Sequence, residues 1–216
     1  MAEQSLAPIS KVRVRVFVDY WNFQLRLHEV NHGKFNIDWR KVGPWLAQKA
    51  CQTAGLDGGQ LSFDGMAVYS SYDPKTPSGR QFNNWMASWM NRQPGIDVKC
   101  LERKAKQPPV CPACHKQITH CPHTACGQQI AATVEKGVDT LIATDMIRLA
   151  WEEAYDIAVV ASSDADLVPA VEFLNLKGRR VIQAGFPPGG FALATACWGS
   201  FDVAKDRREI EFKKNP

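Results

Sequence analysis

The sequence predicts an α/β protein whose central parallel sheet is covered by helices on both faces. Short apolar segments alternate with longer amphipathic segments along most of the chain, which is typical of strands joined by helices. The apolar segments contain few polar residues, as expected for strands that are buried on both faces. Asp164 and Asp166 follow one of these segments, where a strand ends and a helix begins. We therefore expect a three-layer sandwich with a site at the carboxyl ends of its strands.

Three strands and three helices are predicted in the first half of the chain. Every second residue of 12–18 is a valine, which is the pattern of a strand, and Asp19 and Asn22 follow it. Asp38 is a plausible cap for one of the helices. The predicted strands are 12–18, 61–69 and 96–101, and the predicted helices are 23–30, 39–49 and 80–91.

The second half adds two more strands and completes a predicted sheet of five. Residues 138–153 have the apolar spacing of a helix, and residues 155–161 form the fourth strand. A helix over 169–176 begins with a proline, which the first turn of a helix tolerates. Residues 181–185 form the fifth strand. We expect one domain over residues 11–204 and an exposed basic tail over 205–216.

Composition excludes several classes of protein. The chain has 216 residues, of which 45% are hydrophobic and 22% charged, as in globular proteins. The net charge of +4 permits a nucleic-acid partner without requiring one. There is no run of about 18 apolar residues and no signal-peptide pattern at the start, so we predict a cytoplasmic protein that does not enter membranes.

A cysteine-rich segment over residues 103–127 interrupts the predicted domain as an insertion. Its four cysteines form two close pairs with six residues between them, and two close pairs of this kind suit a tetrahedral Zn²⁺ site. Because all four ligand positions would be filled, the zinc is expected to be structural. His123 is the alternative to one cysteine, and free thiols are the alternative to any site. The predicted ligands are Cys111, Cys114, Cys121 and Cys126.

Four aspartates are expected to meet at the carboxyl edge of the sheet. Asp19 ends the first strand, Asp164 and Asp166 end the fourth, and Asp139 lies in the first turn of the helix before the fourth. This convergence requires the first and fourth strands to be neighbours, which we assume here from the rule for ligand sites in open sheets. Clustered carboxylates repel one another unless a cation holds them, and Mg²⁺ or Mn²⁺ prefers such oxygen ligands.

Several polar residues complete the predicted site. Asn22 is expected to add an oxygen ligand or to position water, and Ser162 and Ser163 to hold Asp164 or a phosphate. Arg80 is a candidate for binding the substrate. Each acid taken alone is about as well explained as a turn or helix-start residue, and Asp145 is expected to be structural.

The sequence resembles the NYN domains of the PIN-like nuclease superfamily, in particular the LabA-like group. The resemblance covers about residues 12–185 and is carried by four motifs in the family's order. They are Val16-Phe-Val-Asp19-Tyr-Trp-Asn22, Glu135-Lys-Gly-Val-Asp139 with Asp145 following, Ser162-Ser-Asp164-Ala-Asp166-Leu-Val-Pro169, and Gly178-Arg-Arg-Val181.

The resemblance implies a PIN-like, Rossmann-like sandwich with strand order 3-2-1-4-5. It also implies metal-dependent endonucleolytic cleavage, chiefly of RNA, with Asp19, Asp139, Asp164 and Asp166 as metal ligands and Asn22 beside them. The expected partner is RNA, or else single-stranded DNA, and a homodimer is compatible with this reading. The cysteine-bearing insertion departs from the plain domain and leaves the choice of substrate open.

Two other functions remain open at this point. An inactive nucleic-acid-binding or adaptor module would keep the fold and use the zinc-binding insertion for contacts. A phosphatase or a nucleotide-sugar transferase would use Asp164 and Asp166. The phosphatase is disfavoured because its Asp-x-Asp pair should follow the first strand, and here the pair comes late in the chain.

Overall fold

The computed structural model describes residues 11–123, 126–130 and 133–213 and is built on a parallel six-stranded sheet. The strands of the chain are β1 (Val12–Asp19), β2 (Leu61–Tyr72), β3 (Ile96–Glu102), β4 (Lys104–Ala105), β5 (Thr133–Val134), β6 (Ile157–Ala161), β7 (Arg180–Gly185) and β8 (Gly199–Asp202). The helices are α1 (Tyr20–Val30), α2 (Trp39–Thr53), α3 (Pro77–Ser88), α4 (Val138–Trp151), α5 (Val168–Leu176), α6 (Phe191–Ala196) and α7 (Val203–Asp206). The central sheet has the order β3-β2-β1-β6-β7-β8.

The sheet separates two hydrophobic cores, which makes the predicted three layers. Val14, Val16 and Val18 of β1 face a core that contains residues of α1, α2 and α3. Phe17 faces the opposite core, which contains residues of α4, α5 and α6. The alternation of side chains along a strand places successive residues in different cores, so both faces of β1 are buried.

The predicted α/β class and parallel sheet are confirmed, and β3, β2, β1, β6 and β7 have the predicted order. The predicted count of five strands is wrong, because β8 pairs with β7 as a sixth. This strand has only four residues, Gly-Ser-Phe-Asp, and none is a β-branched residue that would favour a strand. Its position depends on pairing with β7, which the local sequence does not reveal.

The predicted insertion leaves the sheet after β3 and returns through an antiparallel pair. Lys104 of β4 pairs with Val134 of β5, so the excursion extends beyond the predicted end at residue 127. Two turns follow along it. In the first, the Cys111 N–H donates to Lys116 O; in the second, which includes residues 124 and 125 outside the described part, the Cys121 N–H donates to Gln128 O. Each turn carries one of the two cysteine pairs.

The predicted exposed tail packs in part against the domain. Ile210 is fully buried in the core beside α2, and Glu211 forms a bridge with Ile37. The prediction of exposure is therefore wrong for this part of the tail, because its apolar residue has a place in the core. Residues 214–216 lie outside the described part. Among the described residues, no helix is both long and apolar enough to cross a lipid bilayer.

Candidate metal centre

Asp19 stands at the corner where β1 ends and α1 begins. It is the N-terminal cap of α1, and its Oδ1 accepts a hydrogen bond from the Asn22 N–H at 3.2 Å. Its other carboxylate oxygen accepts from the Ser162 hydroxyl at 3.4 Å. Because β1 and β6 are neighbours, with Val18 opposite Ala161, the corner that follows β6 lies directly beside Asp19.

The corner after β6 holds Asp164 and Asp166 in a fixed turn. The Asp164 N–H donates to the Ser162 hydroxyl at 3.2 Å, and the Asp166 N–H donates to Asp164 Oδ1 at 2.9 Å. Asp164 thereby caps a short 3₁₀ helix that leads into α5. Ser162 contacts both Asp19 and Asp164, so it connects the two corners.

Three of the four predicted acids converge. Asp139 in the first turn of α4, Asp164 and Asp166 each offer a carboxylate oxygen, and these oxygens all lie within 4.8 Å of one another. All the donors are carboxylates, which is the chemistry that hard divalent cations such as Mg²⁺ prefer. The three residues therefore form an acidic cluster that is able to bind a divalent metal.

Asp19 lies close to this cluster but is more deeply buried, with 6% of its surface exposed. Burial, followed by the negative charges of Asp139 and Glu135, raises the pKa of its carboxyl group to about 6, against the opposing hydrogen bonds from Asn22 and Ser162. The pKa of Asp139 is also raised, first by burial and then by Asp164, Glu135 and Asp166. Without a cation, the site therefore disfavours the negatively charged forms of Asp19 and Asp139.

The other predicted site residues take different positions. The Asn22 side-chain oxygen accepts a hydrogen bond from the Ser163 N–H at 3.1 Å, so Asn22 connects the start of α1 to the corner after β6. The Ser163 hydroxyl is buried and has no hydrogen-bond partner among the described residues. Arg80 donates to the carbonyl oxygens of Pro74 and Lys75 and so holds the loop before α3.

Glu135 is a neighbour of the cluster that the sequence analysis did not select. It accepts a short hydrogen bond from the Ser71 hydroxyl, and Arg103 lies 3.7 Å from the same carboxylate. Its charge contributes to the raised pKa values of both Asp19 and Asp139. The only signal in the sequence was its place in the motif that ends at Asp139.

Comparison with known proteins identifies the family of this chain. The family model for the NYN domain matches residues 13–201, which is most of the chain. The chain belongs to the NYN domain family. A solved structure of a Vibrio parahaemolyticus protein of unknown function is similar with a TM-score of 0.54 and 16% identity, over 92% of this chain and 96% of that one, which concerns the fold alone. No curated protein matches this chain.

In this NYN domain, Asp145 belongs to an ion-pair network and not to the acidic cluster. It is 4% exposed and accepts hydrogen bonds from Lys99 and from the Tyr69 hydroxyl, while Arg148 lies 3.5 Å from its other oxygen. Burial alone would raise the pKa of Asp145, but these hydrogen bonds and charges outweigh it and lower the pKa. Its charge is therefore compensated, as a structural residue requires.

The NYN domain has an aromatic cavity of about 720 Å³, and Tyr20, which follows Asp19 in the chain, is one of its lining residues. Tyr20 stacks on Trp39 with ring centroids 5.2 Å apart, and Trp21 and Trp85 form further parts of the wall. Gln24 and His28 supply polar groups on α1, with their side-chain nitrogens 2.6 Å apart. The cavity has the size and mixed lining of a small-molecule site, in the range of about 300–1,000 Å³.

Proposed function

We propose that this chain is a metal-dependent nuclease that cleaves RNA. The observation that carries the proposal is the convergence of Asp139, Asp164 and Asp166 at the carboxyl edge of the sheet in an NYN domain. The family is generally nuclease-like, and carboxylates grouped in this way favour Mg²⁺ or Mn²⁺. Such an ion activates water and offsets negative charge on a phosphodiester.

The residues at the proposed metal centre have different roles. Asp139, Asp164 and Asp166 would hold the ion, and Asp19 would add negative charge from the adjacent corner. Ser162 keeps the distance between Asp19 and Asp164 constant, because its hydroxyl hydrogen-bonds to both residues. Asn22 acts on the same corners through Ser163 and is a positioning residue in this scheme. Arg80, which holds its own loop, contributes at most to the binding of a distant part of the substrate.

Unpaired RNA suits the surroundings of the cluster better than a regular duplex does. An unstacked base can enter the aromatic cavity, where the partly exposed rings of Trp21 and Trp85 offer stacking surfaces. A duplex keeps its bases stacked on one another and gives the cavity nothing to bind. We therefore expect single-stranded RNA, or loops within structured RNA, to be the substrate.

The proposal is tested by incubating the protein with end-labelled single-stranded RNA, duplex RNA and single-stranded DNA. We expect internal cleavage of single-stranded RNA with Mn²⁺ or Mg²⁺ and none with a chelator. Cleavage of DNA alone would contradict the choice of RNA. Binding of RNA without turnover in any divalent metal would contradict the nuclease and favour the adaptor.

We propose that the insertion binds one structural Zn²⁺ through Cys111, Cys114, Cys121 and Cys126. In the first turn, the backbone N–H groups of Cys114 and Ala113 and the Cys114 side chain hydrogen-bond to the Cys111 sulfur and lower the pKa of its thiol. This favours the thiolate, which is the form that binds zinc. The two turns do not bring three of these sulfurs within 4.8 Å of one another in the described residues, so zinc binding would draw them together.

Zinc binding predicts a measurable stoichiometry. Elemental analysis of purified protein should give about one zinc per chain. The double variant Cys111→Ser/Cys114→Ser should lose it, whereas the control Cys51→Ser, which removes a buried thiol of α2, should retain it. A metal-free protein with a protease-resistant insertion would show that the segment folds without zinc.

A further inference from the structure

All of the chain's net positive charge resides in the insertion. The segment between β3 and Glu135, residues 103–134, is called the arm below. It contains four basic residues and no Asp or Glu. The whole chain has 26 Lys and Arg against 22 Asp and Glu, so the remainder has 22 of each and is neutral. The basic residues of the arm are Arg103, Lys104, Lys106 and Lys116.

The lysines of the arm are exposed and are not neutralised by neighbours. Lys104, Lys106 and Lys116 all lie on the surface. None of them takes part in the ion pairs found among the described residues, whereas many basic residues of the domain body are paired with acids. A zinc ion on four thiolates would add two net negative charges, which the four positive charges of the arm outnumber.

Both ends of the arm are fixed beside the acidic cluster. At its start, the Arg103 N–H donates to Tyr72 O at 2.8 Å and its Nε donates to the Ser71 hydroxyl at 2.9 Å. At its end, Glu135 accepts from the same Ser71 hydroxyl, and Asp139 of the cluster follows four residues later. Lys104 pairs with Val134, so the first lysine of the arm lies next to this junction.

We propose that the arm is a phosphate-binding surface that holds the RNA strand alongside the acidic cluster. The proposal rests on the function proposed above, since it assigns a second contact region to the same substrate. A cluster of carboxylates repels a polyanion, and a basic surface fixed next to it offsets that repulsion. The lysines contact phosphates and not bases, so they raise affinity for RNA of any sequence.

The test compares two double variants that remove the same charge. Lys104→Ala/Lys106→Ala changes the arm. Lys11→Ala/Lys177→Ala changes two exposed lysines at the amino ends of the strands, since Lys11 precedes β1 and Lys177 lies between α5 and β7. Both are made together with Asp164→Asn so that RNA is bound without being cleaved. Affinity for a fluorescent 20-nucleotide single-stranded RNA is then measured from 50 to 300 mM salt.

The arm variant should bind about 10-fold more weakly at 100 mM salt. The slope of log affinity against log salt concentration should become shallower by about 1.4, since two phosphate contacts are lost. The control should bind like its parent. Equal affinity and slope for the two variants, or no RNA binding by the parent, would overturn the proposal. Unchanged melting temperature and zinc content exclude misfolding as the cause.

Failure of this proposal is distinguishable from failure of the nuclease. If the protein cleaves RNA and the arm variant binds like the control, the arm does not bind the RNA phosphates and the proposed nuclease activity is retained. If the arm variant loses affinity but the unmodified protein never cleaves RNA, the arm binds RNA as proposed and the proposed nuclease activity is wrong.

Discussion

Asp164→Asn should reduce RNA cleavage at least about 100-fold and leave the fold intact. The substitution removes one of three carboxylates within 4.8 Å of one another, so the remaining pair would hold a divalent cation less tightly. The local structure should persist, because an asparagine oxygen can still accept the hydrogen bond from the Asp166 N–H that caps the 3₁₀ helix. Initial rates at several Mn²⁺ concentrations measure the loss.

The matched control for this variant is Asp202→Asn. Asp202 caps α7 with the same geometry, accepting from the Ala204 N–H at 2.9 Å, but it ends β8, two strands from β6. We expect this variant to keep both the activity and the melting temperature of the unmodified protein. Equal activity of Asp164→Asn and Asp202→Asn would remove Asp164 from the proposed metal centre.

The sequence predicts the site well where a residue's position follows from its own strand or helix. Asp19, Asp164 and Asp139 all stand at element ends that hydrophobic periodicity locates, and parallel strands bring such ends to one edge. The helical spacing also predicts that Asp145 does not share the site of Asp139. Six residues along an α-helix turn the side chain well away from the starting direction, and Asp145 accordingly meets Lys99 on β3.

The rest depends on contacts between distant segments. Glu135 approaches Asp19 because the arm returns through the pairing of β4 with β5, and two-residue strands have no recognisable periodicity. β8 is held by β7, and Ile210 by the core beside α2. None of these contacts follows from local propensity, since each depends on pairing or packing with a distant segment of the chain.

Asp19→Asn should stabilise the metal-free protein at neutral pH although it weakens the proposed metal centre. The pKa of Asp19 is raised from 3.8 to about 6, so keeping it charged above pH 6 costs the folded state as much as about 3 kcal/mol. Asparagine removes that cost, can still cap α1 by accepting from the Asn22 N–H, and can donate its amide to the Ser162 hydroxyl. Chemical denaturation in chelator measures the gain.

The pH dependence of this gain follows from the two pKa values. Below pH 3.8 Asp19 is protonated in both the folded and the unfolded chain, so Asp19→Asn should bring little advantage. Between pH 3.8 and about 6 the unfolded chain loses its proton first, the unmodified protein loses stability, and the advantage of the variant grows to its plateau. Mn²⁺ should reduce this advantage, because the unmodified protein is expected to bind the ion more tightly and is therefore stabilised more by it.

Asp145→Asn is the opposite control, because Asp145 is equally buried but its charge is compensated. Its loss leaves Lys99 without its carboxylate partner and should destabilise the protein by about 3 kcal/mol at pH 7, with no dependence on Mn²⁺. Two buried aspartates of one domain would then respond to the same substitution with opposite signs. If Asp19→Asn were as destabilising as Asp145→Asn, the charge of Asp19 would be supported by the fold, and the electrostatic argument for a cation at this edge would fail.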